Sequence, residues 1–112
     1  MEYLNNAVIR GCVGSVRTTM IRDKLLYSFS VATNALIGSS DGLSSAVEVT
    51  WHQVKWFGAV KDAKWLDRGT YVEVKGRLKN ESYRNSDGLD IYTTVIWADS
   101  VKKVNTFLQF KK

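Results

Sequence analysis

Between Tyr27 and Thr33 the chain alternates strictly, with Tyr27, Phe29, Val31 and Thr33 on one parity and Ser28, Ser30 and Ala32 on the other. A side-chain period of two belongs to a strand with one buried face; a helix, with its period of 3.6, does not produce it. The alternation returns over Thr70 to Asn80, where Val72, Val74 and Leu78 oppose Glu73, Lys75, Arg77 and Lys79. With the run Lys24 to Thr33 extended around the first of these, three more β-rich runs complete a set of five: Asn6 to Arg17, Ala46 to Phe57 and Asp90 to Val101. Proline is absent, so Gly, Asn, Ser and Asp supply the punctuation. Gly38 to Gly42 reads as a hairpin loop and Asn85-Ser86-Asp87-Gly88 as a turn. Gly11 and Gly14, inside the first run, suit a bent or bulged strand at a barrel corner.

One segment breaks the pattern. From Gly58 to Asp67, Val60, Ala63 and Leu66 are separated by charges, which fits a short helix, and Gly69 sits where a helix stop belongs. An all-β chain of five strands with one short helix between strands 3 and 4 matches the OB-fold, a Greek-key barrel, ahead of other small barrels. At 112 residues the chain is expected to form a single domain, 1–112. With 45% hydrophobic residues it can bury a core without a disulfide or a metal. Cys12 is the only cysteine and reads as a small buried hydrophobe. A reducing cytoplasm is then the expected compartment. The start, Met-Glu-Tyr-Leu-Asn-Asn, lacks the basic and apolar pattern of a signal peptide. Sixteen Lys and Arg against eleven Asp and Glu give a formal +5, compatible with a polyanionic partner without requiring one.

The third run carries the chemistry. Val47, Val49, Trp51, Gln53, Lys55 and Phe57 share one face, while Glu48, Thr50, His52, Val54 and Trp56 share the other. Neither face is uniformly apolar or uniformly polar. Gln53 and Lys55 are costly to bury unpaired, so Trp51 and Phe57 read as rings displayed to solvent with a cation between them. Unpaired bases stack on such rings, and lysine neutralises phosphate. The pattern also fits Trp51 and Phe57 as core residues, since aromatics usually are. Trp56, of opposite parity, is expected to pack inward or against a partner subunit.

Five segments together resemble the bacterial single-stranded DNA-binding protein family. Thr50-Trp-His-Gln-Val-Lys-Trp-Phe-Gly58 is similar to that family's Thr-Glu-Trp-His-Arg-Val-Val-x-Phe-Gly strand, and Asn6-Ala-Val-Ile-Arg-Gly-Cys-Val-Gly14 to its opening strand. Phe29-Ser-Val-Ala-Thr33, Arg68-Gly-Thr-Tyr-Val-Glu-Val-Lys-Gly-Arg-Leu78 and the hairpin holding Asp87-Gly88 and Tyr92-Thr-Thr94 follow in the family's order. The resemblance implies sequence-independent binding and protection of single-stranded DNA in replication, recombination or repair. It implies a homotetramer, or in some members a dimer. It assigns base stacking to Trp51, Phe57 and Tyr83, and a fourth stacking position falls on Ile37, which cannot stack. Lys55, Lys75, Arg77, Lys79, Arg84 and Arg10 are the candidate phosphate contacts.

Ala59, Glu81 and Ser82 stand where the family often has cations, so a shallower salt dependence is expected. The family commonly continues into a glycine-rich segment with an acidic, partner-recruiting tip, whereas the sequence closes on Phe107-Leu-Gln-Phe-Lys-Lys112. A removed tail and a member without that recruiting role both fit, which leaves replication and repair proteins open as partners.

No catalytic constellation, nucleotide-phosphate loop or zinc-spaced Cys/His cluster can be assembled, so neither an enzyme nor a cofactor or metal site is expected. His52, the only histidine, reads as structural. Two alternatives stay in view: a primosome-type or mobile-element accessory protein on the same fold, acting mainly through protein partners, and an interaction module whose aromatics form a subunit interface.

Overall fold

The computed structural model describes residues 2–38 and 45–105. It contains β1 (Ala7–Ile21), β2 (Lys24–Gly38), β3 (Ser45–Gly58), a 3-10 turn (Val60–Lys64), β4 (Tyr71–Arg84) and β5 (Asp90–Lys103). The strands close into a barrel in the order β1-β2-β3-β5-β4. All neighbours run antiparallel except β3 and β5, which pair in parallel over Gln53↔Val95, Val54↔Ile96 and Lys55↔Trp97. This is the expected five-stranded OB-fold, and among the described residues no helix is long and apolar enough to cross a membrane.

Alternation selects the core. Val13 from β1, Tyr27, Phe29 and Val31 from β2, Val54 from β3, Val72 and Val74 from β4, and Ile96 and Val101 from β5 fill the interior. Each is worth at most about 1.5–3 kcal/mol of burial. No charged side chain is buried among the described residues.

The first strand bends as its glycines suggested. Its register with β2 slips between Val13 and Val16, leaving one extra residue on β1. Gly11 is required by close approach, because a Cβ there would lie 2.0 Å from the Ala32 carbonyl oxygen. Cys12 departs from the sequence expectation: it is exposed. The pleat explains why, since Gly11 and Val13 on either side are both buried and the residue between them must point outward.

Several strands run past their expected ends. β1 continues to Ile21 and turns through Arg22 and Asp23, whose φ angles are 49° and 68°. Two successive positive φ values are what a tight hairpin with right-handed twist demands, yet neither residue is glycine. β2 extends to Gly38, pairing with Ser45, so the β2–β3 hairpin is longer than alternation alone indicated.

The helical segment is shorter than Gly58 to Asp67. β3 keeps Gly58, and Ala59 remains extended at φ −94° and ψ 161°. Asp62 accepts the Ala59 N–H at 2.8 Å and the Trp65 indole N–H at 3.1 Å, while Gly69 turns the chain at φ 89°. A five-residue turn remains, and it delivers Leu66 into the core. Trp56 packs inward, its ring 5.6 Å from that of Tyr27 and 6.2 Å from that of Trp65.

Tyr27 ties the barrel to this connection by donating its hydroxyl proton to the Ala59 carbonyl at 2.6 Å. Burial, reinforced by nearby Asp62, raises the phenol above its ordinary pKa and keeps it a donor. Ala59 also accepts from the Asp62 N–H, so Tyr27→Phe leaves no orphaned carbonyl. The substitution should cost about 0.5–1.5 kcal/mol, read as a lower midpoint in urea at unchanged slope.

Candidate nucleic-acid interface

The mixed faces of β3 resolve once the strand is seen to leave the barrel. Val54 is buried and His52 and Trp56 are half-buried on the inward parity, but Glu48 and Thr50 lie farther along the hairpin and are exposed. His52 is structural, with its Nε2 2.9 Å from the Thr33 hydroxyl. On the outward parity Trp51 and Phe57 expose 56% and 45% of their surface, which rejects the core alternative for both rings.

Trp51 lies across the sheet toward β1. A Cβ on Gly14 would come within 2.6 Å of Trp51 Cζ3, so the indole rests on backbone that only glycine leaves clear. Phe57 has a different support. It stacks on Trp97 of β5 at a centroid distance of 5.8 Å and an interplanar angle of 27°. A ring already stacked on one side loses little freedom when a base covers the other.

Trp97 is also the centre of the charge distribution. The Lys55 and Lys79 ammonium groups each stand 5.8 Å from its ring centroid, within cation–π range. Its indole N–H donates to Glu81 Oε2 at 2.9 Å, and Lys55 Nζ donates to Glu81 Oε1 at 2.6 Å. The Lys55 hydrogen bond, with help from Trp97 and against partial burial, holds the Glu81 carboxyl below the usual carboxylate range.

Tyr83, 59% exposed, reaches the same cleft from the β4–β5 hairpin, where Gln53, Lys55 and Glu81 form other parts of the wall. The three proposed stacking rings therefore occupy one connected side of the barrel. Arg77 pairs in register with Trp97, and neither it nor Lys79 forms an ion pair among the described residues. Arg84 sits near the hairpin tip, 3.4 Å from Asp90.

Arg10 and Lys75 are not brought to this cleft. Both meet Glu73, at 2.7 and 3.9 Å, on the β1–β4 seam, which lies farthest round the barrel from β3. The hydrogen bond from Arg10 holds Glu73 below its ordinary pKa. Ile37 is exposed on the extended hairpin and offers an aliphatic surface, not a ring.

Sequence reasoning passed over Trp97, Arg17 and Tyr92. The last two line the cleft with Tyr83. Tyr92 opens the Tyr92-Thr-Thr94 part of the quoted hairpin motif, a signal that was available. Trp97 becomes visible only through the parallel register Lys55↔Trp97. The basic and apolar terminal residues 106–112 lie outside the described residues, and among those described no cluster of three His, Cys, Asp or Glu side chains could hold a metal.

Comparison with known proteins bears on the family and the fold. The single-stranded DNA-binding protein of Xanthomonas axonopodis pv. citri is 31% identical over 103 residues, covering 88% of this chain and 57% of that protein. Its counterpart in Xanthomonas campestris pv. campestris is 29% identical, covering 88% and 59%. The chain thus spans little more than half the length of these relatives. A Plasmodium falciparum SSB solved in complex with ssDNA shares the fold at a TM-score of 0.81, with 19% identity over 94% of this chain and 98% of that one. The model of the single-strand binding protein family matches residues 4–104, and the chain belongs to that family.

Proposed function

We propose that this chain binds and protects single-stranded DNA without sequence preference, as a homo-oligomer, and carries no catalysis. The observation that carries the reading is the row of half-exposed rings on one barrel side: Trp51 on Gly14, Phe57 on Trp97, and Tyr83 across the cleft. Bases offer a π face whatever their identity, so stacking at these rings gives affinity without reading sequence. Arg77, Lys79 and Lys55 supply positive charge beside the rings, and Arg84 extends it toward the hairpin tip. Arg10 and Lys75 serve only a strand that wraps round to the far seam. The names of the relatives, single-stranded DNA-binding proteins, support the same reading, and replication, recombination or repair is the setting proposed for it.

A second reading draws on Leu36, Ile37, Val47 and Val49, four exposed aliphatic side chains on the β2–β3 hairpin. Such a surface suits an accessory protein working mainly through protein partners. DNA binding separates the two. Titration with poly-dT should quench tryptophan fluorescence at low salt and reverse as salt rises. A folded protein that shows no quenching at low salt would leave only readings that work through protein contacts.

Trp51→Ala should weaken dT binding by about 1–3 kcal/mol while the fold survives. Gly14→Ala tests the platform beneath the ring. The methyl must displace the indole, so binding should fall in the Trp51-containing protein. The same change in a Trp51→Ala background should have little further effect, measured by anisotropy of a labelled dT oligonucleotide.

A further inference from the structure

One cation of the cleft, Lys55, is already taken. Lys55 on β3 and Glu81 on β4 are separated by β5, and their side chains meet above Trp97 at 2.6 Å. Both are largely shielded, with 33% and 22% of their side-chain surface exposed. Glu81 spends its other oxygen on the Trp97 indole N–H, so the carboxylate is fixed in orientation at both ends. This fixed carboxylate stands among the groups that the binding reading assigns to DNA: Lys55, Lys79 and, through the Trp97 ring that supports it, Phe57. An anion there opposes a polyanionic ligand, and yet it is built into the site.

We propose that Glu81 acts as a resident phosphate mimic, holding the Lys55 ammonium until a DNA phosphate takes its place, so that strand entry at Lys55 is an exchange of anions. The inference rests on the DNA-binding reading and adds the regulation of that site. Its thermodynamic consequence follows from counterion release. A phosphate neutralised by a free lysine sheds its condensed cation, which makes binding steeply salt-dependent. In the exchange, the phosphate sheds a cation while the freed Glu81 carboxylate acquires one. Lys55 then contributes little net salt dependence, and stacking must supply the driving force at this point of the path. Polyanions without accessible bases lose the advantage that a bare lysine would give them.

The experiment is a double-mutant cycle read as the slope of log affinity against log salt, using a labelled dT oligonucleotide. Glu81→Gln keeps an oxygen for the Trp97 N–H while removing the charge, and Glu81→Ala removes both. Each should tighten binding at low salt and steepen the slope by about 0.7. From 50 to 200 mM salt that amounts to about 2.6-fold more loss of affinity than in the parent. Lys55→Gln added to Glu81→Gln should cancel the steepening, and should change the slope less when made in the parent. A purely structural Glu81 would alter the melting temperature without this charge-specific coupling. Unchanged slopes in both Glu81 variants, or a steepening that survives Lys55→Gln, would overturn the proposal while the parent still binds dT. Absence of binding by the parent protein would instead sink the function reading, and this inference with it.

Discussion

Closure of the barrel is the constraint from which the rest follows. β1 must hydrogen-bond to β2 along one stretch and to β4 along another, and it manages both by bending over Gly11 and slipping register before Val16. Once the ring of strands is closed, the pleat leaves no choice of face. Val54 goes in, and Lys55 goes out. Closure also sets β5 between β3 and β4, which is how side chains 26 residues apart in sequence come to share one indole. The cleft lined by Lys55, Glu81 and Tyr83 is thus a by-product of the same pairing that buries the valines.

The net charge of +5 gives a poor picture of the cleft. Four of the basic side chains named from sequence are already engaged by carboxylates: Arg10 and Lys75 by Glu73, Lys55 by Glu81 and Arg84 by Asp90. Exposed pairs such as Arg84–Asp90 are worth little to stability. Their effect on a ligand is larger, because each phosphate arriving at such a site must compete with a carboxylate. Among the basic side chains named from sequence, Arg77 and Lys79 alone stand outside the ion pairs of the described residues.

Much of this was legible from parity. Period-two runs placed the strands, and the clash between two rings and two polar side chains on one face of β3 correctly marked an exposed row. Parity would also have placed Cys12 outward, between buried Gly11 and Val13, had residue type not been given more weight. The Arg22–Asp23 turn left no trace because positive φ at arginine is imposed by the strands on either side and is not a preference of the residue. Trp97 was hidden for a further reason. Its partners come from β3 and β4, and no local pattern in β5 records a parallel register with one and an antiparallel register with the other.

The outward turn of Cys12 has a practical side. Cys12 pairs in register with Ala32, and Ala32 with Trp51, so the thiol and the exposed Trp51 ring stand in one row across the sheet. Two strand spacings, about 10 Å, separate their backbones. The chain contains no other cysteine. A thiol-reactive dye would therefore attach at one place without any engineered residue, within energy-transfer distance of the Trp51 indole. The native sequence carries its own reporter position beside the point where a base would land.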